Sequence, residues 1–141
     1  MVPVYQAGIG VYPVMGNHDD DDVNAFKTVF APSLPDNGPA GETDRTYVIA
    51  HRVNTNWVAA VLATNTSSHV FAMGHDPAFK ANHTDCLDDY PASRDFFWNS
   101  LRDAGCRIYF AGHDHFYDHM RVDDRDGNPN NDVHQLIVGT A

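Results

Sequence analysis

With 141 residues, 43% of them hydrophobic and only 20% charged, the chain has room for one domain with an apolar core, which argues against wholesale disorder. Its formal charge of −10, with two lysines among nine basic residues and no basic stripe, argues against a surface built to grip nucleic-acid phosphates. No run approaches the ~20 apolar residues of a membrane span, and Met1 to Gln6 lacks the charged start and apolar stretch of a signal peptide.

In chain order, Val11 to Met15 is a short apolar run, interrupted by Pro13, that enters the turn Gly16-Asn17-His18-Asp19. The acidic run Asp19 to Asp22 leads into a predicted helix, Val23 to Phe30, with its cap among the aspartates. Residues 31–44 carry three prolines and two glycines and read as loop. Tyr47 to Ala50 reads as a strand. Asn56 to Ala63 reads as a helix, with Trp57, Ala60 and Val61 on its apolar face. Val70 to Met73 is a buried strand that stops at Gly74-His75-Asp76-Pro77, and a polar loop follows to about Tyr90.

Ser93 precedes a third predicted helix, Arg94 to Ala104, whose Phe97, Leu101 and Ala104 recur at helical spacing before Gly105 stops it. Arg107 to Ala111 is another buried strand, ending at Gly112-His113-Asp114-His115. Met120 to Asp123 and Val133 to Val138 flank an Asp-Gly-containing loop and read as a hairpin. Cys86 and Cys106 lack CxxC spacing; unpaired, partly buried thiols are favoured over a disulfide. Both ends of the sequence look internal to a longer chain.

Nine histidines are many for this length, and three times an apolar strand ends in glycine followed at once by histidine or asparagine. Glycine allows a sharp turn there, and side chains just beyond the carboxyl ends of strands can converge on one crevice. If the segment is extended, His113 and His115 point the same way and present both imidazoles to one site. Asn17 offers a carboxamide oxygen and His75 a neutral imidazole, both suited to a borderline divalent ion.

In this order, Gly16-Asn17-His18-Asp19, Gly74-His75 and Gly112-His113-Asp114-His115 resemble the last three sequence blocks of the calcineurin-like metallophosphoesterases, in the style of purple acid phosphatases. The resemblance runs from about Val11 to Ala141. It implies an α/β fold: residues 1–141 would be one domain, the C-terminal part of a four-layer α/β/β/α sandwich whose N-terminal portion is missing. It also implies hydrolysis of phosphate esters at a dinuclear metal centre of Fe, Zn or Mn, with a bridging hydroxide as nucleophile.

Carried over residue by residue, Asn17, His75 and His113 would bind one metal and His115 the other. His18 would stabilise the phosphoryl transition state or protonate the leaving oxygen, and Asp19 would orient it. Asp114 falls at the variable position between the paired histidines and receives no role. The family's Asp-x-His and Gly-Asp-x-x-Asp blocks do not occur upstream of Gly16, so the chain alone is expected to be inactive.

The partner implied is a small phosphate ester, with no membrane contact. Few lysines and Asn/Asp/Thr-rich loops suit an extracytoplasmic or secreted setting. The alternatives are a non-catalytic metal-binding module or scaffold and, less well matched, an amidohydrolase-type zinc enzyme built on His113 and His115. His51, His69, His119 and His134 match no block and read as ordinary strand or surface residues. His83 lies between two ligand blocks, where a substrate contact is conceivable. Asp124-Arg125-Asp126-Gly127-Asn128 has a faint look of a calcium loop, but a hairpin connection is favoured.

Overall fold

The Asp22 carboxylate accepts a hydrogen bond from the Ala25 backbone N–H at 3.0 Å and so caps α1, Val23–Phe30, as the aspartate run led one to expect. The computed structural model describes residues 14, 16, 22–30, 55–64, 66 and 68–139. The expected loop over 31–44 and the expected strand Tyr47 to Ala50 lie outside them.

α2 spans Thr55–Ala63, one residue longer than its periodicity predicted. Of its expected inward face, the Trp57 side chain lies outside what is described, and the rest turns the other way. Val58 and Leu62 pack against the core, whereas Ala60 and Val61 are exposed. Nearly every residue from Trp57 to Ala63 is apolar, so spacing alone could not choose the face; packing against α3 chooses it.

α3, Pro91–Asp103, begins three residues before the expected start. Pro91 occupies its first turn, where a missing N–H costs nothing, and Tyr90 stands at the N-cap without a side-chain bond. Ser93 therefore lies inside the helix and does not cap it. The helix stops where predicted. Gly105 takes φ +80°, its N–H reaches the Arg102 carbonyl at 2.9 Å, and the Cys106 N–H reaches that of Leu101 at 2.9 Å. Phe97, Trp98 and Leu101 are buried.

Among the described residues the sheet has four strands: β1 Ala72–Met73, β2 Ile108–Ala111, β3 Tyr117–Val122 and β4 Val133–Val138, in the order β1-β2-β4-β3. β1, β2 and β4 are parallel, and β3 runs antiparallel to β4 as the other arm of a hairpin. The described residues thus form a small mixed α/β arrangement. β3 starts three residues before the predicted Met120, because Tyr117 to His119 pair with Val138 to Leu136. Only the last two residues of the expected buried strand Val70 to Met73 enter the ladder, and Phe71 and Met73 are exposed rather than buried.

One face of the sheet meets α3. Tyr109 and Ala111 from β2, and Val133, Gln135 and Ile137 from β4, alternate inward and are all buried. Fully burying a side chain such as Leu101 contributes about 1.5–3 kcal/mol. The other face is less covered: Met73, Tyr117 and Val138 are exposed. Cys86 and Cys106 are both free and buried, as favoured from the sequence.

Candidate metal centre

All three parallel strands finish in glycine: Gly74 after β1, Gly112 after β2 and Gly139 after β4. At Gly139 a Cβ would collide with the Asp114 carbonyl, so the backbone can pass there only as glycine. The crevice beyond these strand ends is where the histidines gather.

His75 is held by its backbone. Its carbonyl accepts the Gly112 N–H at 2.9 Å, and the Gly74 N–H reaches the Phe110 carbonyl at 3.0 Å. The next carbonyl, that of Asp76, accepts the buried Tyr109 hydroxyl at 2.8 Å. Burial pushes that phenol far above its ordinary pKa, so it remains a donor at any physiological pH. Three residues on, the Gln135 carboxamide grips both backbone groups of Phe79, with two bonds of 2.9 Å. Gln135 is fully buried in β4, and these bonds tie the loop after His75 to the sheet.

His113 follows β2 with φ +65°, a left-handed conformation that costs a non-glycine residue about 1–3 kcal/mol. The Asp114 N–H closes a three-residue turn onto the Gly112 carbonyl at 2.7 Å. The segment is therefore not extended, and the alternation expected to align His113 with His115 does not apply. His113 is turned inward, its side chain only 8% exposed, whereas His115 is exposed.

The imidazoles of His75 and His113 meet, with Nε2 of the first 3.2 Å from Nδ1 of the second. Gly16 packs on the same His75 ring: a Cβ there would lie 2.9 Å from its Cε1 and would push the ring aside. Parts of all three sequence blocks are thus in one place. Asn17, His18 and Asp19 lie outside the described residues. His115 joins no group of converging ligand atoms among the described residues.

Two further residues reach the site. The Asp85 carboxylate is 3.1 Å from His113 Nε2, and the His83 ring is centred 4.8 Å from the His113 ring. Asp85 is held below its ordinary pKa chiefly by His113, against a smaller opposing effect of desolvation. Asp114 arranges this loop. Completely buried, its carboxylate accepts the N–H groups of His83 at 3.0 Å and Asn82 at 3.2 Å. The residue read as variable is thus a clamp that brings His83 and Asp85 to His113. No motif spacing in the sequence marks Asp85 or Asp114; the Asn82-His83-Thr84-Asp85 run of polar residues was the only hint.

Ligand atoms of His75, Asp76 and His113 lie within 4.8 Å of one another, as do those of His83, Asp85 and His113. The donor set, imidazole nitrogens with one or two carboxylates, suits zinc, iron or manganese. His113 Nε2 is buried and, despite its nearness to Asp85, makes no aligned hydrogen bond. A cation would satisfy such a nitrogen, so the residues present fit a metal. No protein-family model matches this sequence, and no curated protein matches it.

Proposed function

We propose that this chain is the C-terminal part of a calcineurin-like metallophosphoesterase domain, and that with its upstream blocks it hydrolyses phosphate esters. The observation that carries the reading is the meeting of His75 and His113 at adjacent parallel strand ends, with Gly16 packed on the His75 ring. A four-layer sandwich needs a second sheet against this one. The exposed Met73, Tyr117 and Val138, on a sheet whose central strands β2 and β4 pack their other face against α3, are the kind of surface such a sheet would bury.

The metal ions, when bound, supply Lewis-acid polarisation of the phosphoryl oxygens and lower the pKa of water. The chain's own residues hold and orient. His75, His113 and Asn17 would hold one ion; His115, which diverges from His113, is not placed beside them to hold the other. Asp114 keeps the loop carrying His83 at the site, where His83 can donate a proton or a hydrogen bond to a substrate oxygen. His18, fixed by Asp19, would protonate the leaving oxygen. The family's bridging carboxylate has no counterpart among the residues named here, which are expected to hold metal and not, by themselves, to turn over.

Zn²⁺ or Mn²⁺ titration of the chain, followed by calorimetry, should show binding that His113→Ala weakens more than about 100-fold, since a first ligand is deleted. With both upstream blocks supplied, an activated aryl phosphate should be hydrolysed only in the presence of metal. His113→Ala should abolish metal content and turnover together. His18→Ala should keep the metal and lose about 10²–10⁴-fold in turnover. Metal binding without hydrolysis of any phosphate ester would leave the non-catalytic metal-binding module as the reading. Failure to bind metal would refute both.

A further inference from the structure

The strands also have a start, and there the chemistry is different. β2 and β4 run parallel, with Ile108 beside His134 and Ala111 beside Ile137. The loop between β3 and β4 enters β4 at Val133, so it sits at the end of the sheet away from Gly112 and His113. It reads Asp123-Asp124-Arg125-Asp126-Gly127-Asn128-Pro129-Asn130-Asn131-Asp132, a run of oxygen donors.

Carboxylate oxygens of Asp123, Asp124 and Asp132 lie within 4.8 Å of one another. Three clustered acids alone mean little. What sets this cluster apart is Asp132, whose side chain is 2% exposed and whose two carboxylate oxygens are both buried without a hydrogen bond. Arg121 brings its Nε to 3.3 Å from one of them but is not aligned to donate, and that arginine is half-exposed. The carboxamide oxygen of the adjacent Asn131 is also buried without a partner. A buried, ionised carboxylate without hydrogen bonds is costly and demands a compensating charge.

The neighbouring cations do not fully supply it. Arg102 reaches Asp124 at 3.0 Å, and Arg121 stands 3.9 Å from Asp123. Arg102 also holds Asp103 at 3.0 Å, so two guanidinium groups face four carboxylates and leave negative charge in excess. We propose that Asp123, Asp124 and Asp132 form a binding site for Ca²⁺ at the hairpin loop, separate from the imidazole cluster. Ca²⁺ is favoured because every donor is a hard oxygen and because an irregular loop can adopt the loose, high coordination that Ca²⁺ accepts. The role fitting this position is to fasten the hairpin to the start of the sheet.

Ca²⁺ alone, titrated into the full chain, should bind at one site. At ten times Kd it should raise Tm by about 3–6 °C. Asp132→Asn and Asp123→Asn should each weaken Ca²⁺ binding at least about tenfold. The second variant guards against misfolding, because Asp123 is exposed and asparagine can still accept the Arg125 N–H that Asp123 Oδ1 holds at 2.7 Å. His113→Ala should leave the Ca²⁺ response intact. No heat and no Tm shift at about 10 mM Ca²⁺, beyond the range of weak extracellular Ca²⁺ modules, would overturn the proposal. So would a response that survives both aspartate substitutions, or one abolished by His113→Ala.

Discussion

The two ends of one small sheet, separated by roughly 17 Å along the six residues of β4, are built for opposite kinds of charge management. At the carboxyl ends of β1, β2 and β4 the side chains that meet are mostly imidazoles. They are placed by backbone hydrogen bonds and by the uncharged clamps Tyr109 and Gln135. In the loop that enters β4 the side chains that meet are carboxylates, balanced in part by Arg102 and Arg121, although the His119 and His134 rings also meet near that end, their nitrogens 2.7 Å apart. The first arrangement suits a borderline cation and the second a hard one. Rigid backbone placement serves a site whose geometry must be accurate, whereas an acidic loop needs only a sufficient number of oxygens.

The sharpest way to break this contrast is at Gln135. Gln135→Ala deletes both bonds to Phe79, strands a backbone N–H and C=O, and opens a cavity beneath the loop. A loss of about 2–5 kcal/mol is expected in urea unfolding. In the folded fraction, affinity for Zn²⁺ at the imidazole end should fall, while the response to Ca²⁺ at the other end stays. An equal loss at both ends would mean that the ends are not independent.

A smaller effect is expected at Asp114. Asp114→Asn keeps the shape but points an amide donor at one of the two N–H groups the carboxylate now accepts. The expected cost is about 1–3 kcal/mol. The Asn82–Asp85 loop should loosen, so hydrogen exchange at the His83 amide should speed up, while the β3–β4 hairpin keeps its protection. If His83 exchange is unchanged, the clamp does not position that loop.

The smallest effect concerns the thiols. Burial raises the pKa of both Cys86 and Cys106 above the ordinary 9.0. A thiol with a raised folded pKa contributes stability that is complete below the unfolded value and is lost as pH rises through the folded one. Stability should therefore decline above about pH 9, and less so when both cysteines are replaced by alanine. Below that pH, alkylation should be slow at both. It should be slower at Cys106, which is wholly buried by the start of β2, than at Cys86 next to Asp85.

Much of the local structure was readable in advance, since it depends on neighbours in sequence. Val23–Phe30 follows its acidic cap, and α3 ends at Gly105 because only a left-handed residue closes that turn. β4 matches its expected bounds because apolar residues alternate toward the core. Of the site, His75 and His113 were legible from the glycines before them. Which face of α2 turns inward was not, because nearly every residue there is apolar and α3 makes the choice. Nor was the divergence of His113 from His115, which depends on a tight turn at φ +65°. Asp85 and Asp114 were invisible as site residues, as was Asp132, because their roles rest on contacts with distant segments. Sequence by itself determined which chemical groups the chain owns and, to within a few residues at their ends, the described helices and strands. Tertiary structure alone decided which of those groups lose their water and face one another, because burial and pairing are properties of packed neighbours.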